Sequence, residues 1–345
     1  MSWLSKHGGE VKNPKTDLVS QLSCLGAGGK FPANAERDMH RKMRSENRTI
    51  KAKIDFKQVR LTDPSTGEVS WQSFPILLPH ELLKALWARG EDTFRKCIFG
   101  DMTETAVGDY WQHMENVSPW FQNHPLRRYR CRSRLAAIAP YGDEVQCYRN
   151  SEAGIISVCG WSSEFCWKAP PLMRYYALAL WSEHHESPFT YTDVIAHFIA
   201  SMKKLSDPNE VFPWTHKGYL FLMSGIQGDL KWLNERMQGI HNYRQNEFCS
   251  RCKCCKSHPD VYKTLPNFSY NEGDHEARDY TNVDLGQLFS PLFDMPGMTI
   301  ECVLHDMMHS QYLGTGKLVN GPVLTKRYVK KYFLQVVVTY SLARV

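Results

Sequence analysis

Leu135-Ala136-Ala137-Ile138-Ala139-Pro140-Tyr141-Gly142-Asp143-Glu144 is the stretch on which the reading of the fold turns. Six apolar residues that run into an acidic dipeptide predict a short buried strand, 135–140, ending at a carboxylate. Outward from it, the runs 154–161 and 173–181 predict two more strands. Thr192-Asp193 then caps a helix, whose apolar residues Val194, Ile195, Phe198, Ile199 and Met202 recur on one helical face. The apolar run Tyr219-Leu220-Phe221-Leu222-Met223-Ser224-Gly225-Ile226 predicts a fourth strand, with Gly228-Asp229 just beyond it. The order is strand, strand, strand, helix, strand, with an acid at the ends of the first and fourth strands.

Upstream, residues 1–50 carry Gly26-Ala27-Gly28-Gly29 and many polar residues without sustained periodicity, which predicts a basic, largely irregular segment. Residues 50–79 predict a hairpin, since Lys51-Ala52-Lys53-Ile54-Asp55-Phe56 alternates and Asp63-Pro64-Ser65-Thr66-Gly67 has turn chemistry. From residue 79 to about 122 the apolar spacing becomes helical. Three regions result: 1–50 as described, 51–130 as an accessory hairpin and helical region, and 131–345 as an α/β core with a cysteine-rich insertion at about 240–300.

The chain has 345 residues, 42% of them hydrophobic and 10 of them Trp, enough for a sizeable core. Its start, Met1-Ser2-Trp3-Leu4-Ser5-Lys6, lacks the apolar stretch of a signal peptide, and no run approaches the roughly 20 apolar residues of a membrane span. These features predict an intracellular protein without a membrane partner, whose 11 cysteines stay reduced and serve as metal ligands or buried thiols. The net charge is +6, and residues 1–60 alone hold 13 Lys/Arg against 6 Asp/Glu. A second basic knot contains Arg127, Arg128, Arg130, Arg132 and Arg134, with Tyr129 among them, and leads directly into the first core strand. Arginines interleaved with an aromatic suit a phosphate backbone, so DNA is the expected partner. Homo-oligomer formation is left open.

The strand order is that of a ribonuclease-H-like core, a mixed sheet with flanking helices. In that arrangement Asp143 and Asp229 fall at the ends of neighbouring strands. Paired carboxylates there are ligands for two Mg²⁺ or Mn²⁺ ions, the clamp used in in-line phosphodiester chemistry. Cys249-x2-Cys252 is a zinc half-site. Cys255 or His258 is the expected third ligand, and a histidine from 305–309 the expected fourth, making a structural zinc knuckle in the insertion. Asp306 and His309, three residues apart on a helix, share one face.

These residues resemble the eukaryotic DDE transposases of the CACTA (En/Spm) type and the related Plavaka and Kyakuja-Dileera-Zisupton groups. The likeness spans about residues 134–316. It is carried by Tyr141-Gly142-Asp143-Glu144, Gly228-Asp229-Leu230-Lys231, Phe248-Cys249-Ser250-Arg251-Cys252 and Asp306-Met307-Met308-His309-Ser310-Gln311-Tyr312-Leu313-Gly314. Trp161-Ser162-Ser163 after the second strand fits as well. The resemblance implies metal-dependent DNA cleavage and strand transfer in the nucleus, with Asp143 and Asp229 as catalytic metal ligands and Asp306 and His309 beside them. One departure stands out. The family has a third acid, a Glu on a late helix, whereas residues 310–345 contain no Asp or Glu. The expectation is therefore an incomplete catalytic core without robust strand transfer. The competing expectation is a non-catalytic, zinc-stabilised DNA-binding or interaction protein.

Overall fold

The computed structural model describes residues 35–45, 50–146, 154–166, 174–228, 232–233, 290–299 and 302–303. They form a mixed α/β fold in two units, residues 1–51 and 52–345. The described part of the first unit is helix α1 (Ala35–Ser45), within the segment expected to be irregular. Its sequence, AERDMHRKMRS, is rich in strong helix formers but has only two apolar side chains beyond Ala35, so propensity rather than an apolar stripe accounts for it.

The second unit begins with a hairpin of β1 (Asp55–Thr62) and β2 (Val69–Ile76), antiparallel from Asp55↔Ile76 to Thr62↔Val69. Four helices follow: α2 (Pro79–Trp87), α3 (Glu91–Phe99), α4 (Glu104–Val117) and the single turn α5 (Pro119–Gln122). Pro79 and Pro119 each open a helix, where the missing N–H costs nothing. Thr103 caps α4 by accepting from the Ala106 N–H.

The main sheet contains β3 (Leu135–Gln146), β4 (Ile155–Ser163), β5 (Tyr175–Ser182), β6 (Leu220–Met223) and the short β7 (Gln227–Gly228). Its order is β5-β4-β3-β6, with β7 continuing beside β3. The β3-β4-β5 meander is antiparallel, whereas β6 and β7 run parallel to β3. Helix α6 (Thr190–Ser206) makes the crossover and buries Val194, Ile195, Phe198, Ile199 and Met202, as the spacing predicts. Beyond β6, Ile226 forms a parallel bridge with Val303, and its N–H donates to the Cys302 carbonyl.

Strand β3 differs from its expected form. It continues past Pro140 to Gln146 because the antiparallel ladder with β4 runs on to Gln146↔Ile155. Asp143 therefore lies inside a strand, opposite Val158, and not in a turn after one. Pro140 does leave a mark, since it has no N–H to donate. The parallel ladder breaks there, with Ile138↔Met223 before the gap and Tyr141↔Gln227 after it.

Asp193 also differs from its expected role as a helix cap. The helix starts at Thr190, and the Asp193 carboxylate reaches β1 instead. It accepts from Arg60 Nη2 at 2.6 Å, Arg60 Nε at 2.9 Å and the Arg60 backbone N–H at 2.9 Å. The Arg60 guanidinium also lies 4.0 Å from the ring centre of Phe189 and 4.9 Å from that of Trp71. The hairpin is thus pegged to the crossover helix. One hydrophobic core joins hairpin, helices and sheet, from Val59 to Val303. At its centre Phe94 stacks on Trp214 at 5.5 Å and meets Tyr219 and Phe221 edge-on.

Candidate functional site

The site is built where β3 and β7 run side by side. Tyr141 pairs with Gln227 and Gly142 with Gly228, so the residues directly ahead of Asp143 and Asp229 are partners in a parallel ladder. Asp229 itself lies outside the described residues, as do Cys249, Cys252, Cys255, His258, Asp306 and His309. Among the described residues no group of three or more His, Cys, Asp or Glu is placed to hold a metal.

The half-buried Asp143 carboxylate is oriented from both sides. The Tyr141 hydroxyl donates to Oδ2 at 2.7 Å, and the Glu144 backbone N–H donates to Oδ1 at 2.8 Å. Among the described residues it forms no ion pair. Each oxygen thus takes one hydrogen bond and keeps a lone pair for a hard cation. Successive strand residues face opposite sides, so Asp143 shares its face with Tyr141, and Glu144 does not. Glu144 pairs with Ser157, and Ser157 with Trp181, whose ring meets Tyr191 of α6 at 4.6 Å. The α6 side of the sheet therefore carries Glu144, and the other side carries Asp143. On the Asp143 side, Tyr141 lies 5.0 Å from the Tyr175 ring, and the Arg174 guanidinium lies over Tyr175 at 4.8 Å.

A buried carboxylate just past the end of β4 is remote. Glu164 follows Ser163, the partner of Ile138, five positions back along β3 from Asp143, or about 16 Å at strand rise. Burial raises its pKa, while Ser224 and Tyr110 hold the opposite way through hydrogen bonds. It is a packed acid, not part of the Asp143 site.

The arginine run divides in two. Arg127 and Arg132 converge on Glu115 at 2.8 and 2.5 Å, and Arg134 pairs with Glu104 at 3.0 Å and donates to the Lys217 carbonyl at 2.5 Å. The two arginines hold the Glu115 carboxyl below the usual carboxylate range, Arg127 first and then Arg132. Arg128 and Arg130 are exposed and form no ion pair among the described residues. Of the five arginines expected to face DNA, these two keep their charge clear of an internal carboxylate.

Two contributors escaped the sequence reading. Tyr141 orients Asp143, and Trp232, grouped there with the core tryptophans, lies against both Gly142 and Gly228. Gly142 lies past the apolar run that marks the strand in the sequence, and only the continued pairing with β4 places it inside β3, where a glycine marks the close approach of another group. No family model, no curated protein and no solved structure matches the chain.

Proposed function

We propose that this chain is a transposase-derived, ribonuclease-H-like protein that engages DNA phosphate through divalent cations held at Asp143 and Asp229. The observation that carries the reading is the Gly142–Gly228 register pair, which brings together the backbone just ahead of both acids. The wider topology supports it: an antiparallel meander, a crossover helix, then a strand parallel to the first. The isolated parallel bridge Ile226↔Val303, past the end of β6, is compatible with a further parallel strand.

The donor set fits a hard cation, because Asp143 offers two oxygens already oriented by Tyr141 and the Glu144 N–H. Mg²⁺ or Mn²⁺ bound there would neutralise phosphate charge and activate a nucleophilic oxygen. The chain's own residues set the carboxylate rotamer and present Arg128 and Arg130 to the DNA backbone. Cys249 and Cys252, with Cys255 or His258, are assigned a structural zinc.

A second reading is a zinc-stabilised DNA-binding protein without catalysis, which the exposed Arg128 and Arg130 would serve without any cation at Asp143. Fluorescence anisotropy of labelled duplex DNA with the purified chain separates the two. On the first reading Mn²⁺ tightens binding and Asp143→Asn removes that gain, with little or no strand transfer. Binding indifferent both to Mn²⁺ and to Asp143→Asn would leave the second reading standing.

A further inference from the structure

Gly142 and Gly228 are not turn glycines. The described glycines with a left-handed φ are Gly67, Gly90, Gly100, Gly218 and Gly297, so backbone freedom does not explain glycine at either position. Space does. A Cβ built on Gly142 would fall inside the indole of Trp232. A Cβ on Gly228 would lie 2.5 Å from Trp232 Cε3 and 3.2 Å from the Gly142 carbonyl oxygen. One ring therefore covers both members of the register pair. Trp232 is 1% exposed, and its other side meets Tyr191 of α6, with ring centres 6.4 Å apart at 66°.

We propose that Trp232 is the positioning residue of the carboxylate site: its indole, wedged between α6 and the two glycines, fixes the approach of β7 to β3 and thereby the place of Asp143 relative to the chain leading into Asp229. The inference rests on the cation site proposed above. The indole lies on the face opposite the Asp143 carboxylate, because Asp143 and Gly142 point to opposite sides of the strand. It therefore acts through the backbone and touches neither cation nor DNA. The same packing accounts for glycine at both positions directly before the two acids, since both strands need a bare Cα under the ring.

The test is Mn²⁺ affinity of the full chain, followed by the electron paramagnetic resonance signal of free Mn²⁺, alongside thermal melting. Asp143→Asn identifies the site concerned. Trp232→Leu and Gly142→Ala are each expected to weaken Asp143-dependent Mn²⁺ binding about tenfold or more, the scale seen when groups behind a metal ligand are altered. The double variant should be no weaker than the poorer single one, because both changes disrupt one contact. Should the leucine variant fail to fold, Trp232→Phe, which keeps a ring but leaves a gap, takes its place. A lower melting temperature with unchanged Mn²⁺ affinity would make Trp232 an ordinary core residue and overturn the proposal. Mn²⁺ binding that ignores Asp143→Asn would instead remove the site itself, and the positioning role with it.

Discussion

His124 shows how a single side chain can be fixed by what surrounds it. Its Nδ1 accepts from the Leu126 N–H at 3.0 Å, and a Cβ on Gly297 would collide with the ring, so the 290s segment packs flush against it. Burial lowers its pKa to about 4, partly offset by a hydrogen bond with the Pro296 backbone. The folded state thus binds the proton less readily than the unfolded chain. Stability is complete above the unfolded value near 6.5 and falls as pH drops through the folded value. The whole effect is about 3 kcal/mol. Urea denaturation at pH 7 and at pH 4.5 should show this loss, and His124→Gln should flatten that part of the profile. At this scale the sequence is least legible. Nothing near His124 announces the segment around Gly297, because the contact joins residues distant in the chain. Gly142 and Gly228 follow the apolar runs that mark the strands, so neither stands out in the sequence as a strand glycine, and the indole above them is visible only in three dimensions.

Elements were more legible, because periodicity is local. The helix predicted from residues 194–202, the three strands of the meander and the hairpin all occur where the apolar spacing places them. Their ends moved for tertiary reasons. Strand β3 outlasts its apolar run because β4 continues to pair with it, and Pro140 interrupts only the parallel side. Asp193 had the sequence context of a cap, yet its carboxylate is committed to Arg60 across the hairpin. Asp193→Ala should cost about 2 kcal/mol in denaturant unfolding, below the full penalty for breaking a buried pair because Arg60 stays 29% exposed. Arg60→Ala in the Asp193→Ala background should then add little beyond the lost stacking on Phe189 and Trp71, which a double-mutant cycle measures.

The molecule's electrostatics depend on which charges are already paired. Counting arginines overstated the basic run, since Glu115 and Glu104 stand twelve or more residues upstream and only the fold brings them close. Glu115→Gln removes the charge that Arg127 and Arg132 share. DNA affinity should rise, and the slope of log K against log salt should steepen by about 0.9 for each added phosphate contact. Anisotropy titrations across a salt series check this, and an unchanged slope would mean that this face does not meet DNA. The candidate site was half legible in the same sense: the order of acids along the chain pointed to Asp143, while its Tyr141 partner and the face it occupies required the sheet.

The central strand also dictates an order of assembly. On one side β3 meets a partner that follows it almost immediately; on the other its ladder, beginning at Leu135↔Leu220, waits for the meander, the crossover helix and the loop after it. Closing that long loop is entropically slow compared with zipping a hairpin. The meander is therefore the early event and the docking of β6 and β7 the late one. Until that last step the backbone ahead of Asp143 is paired only with β4, so this order of assembly includes a stage in which the other edge of β3 lies open to other molecules.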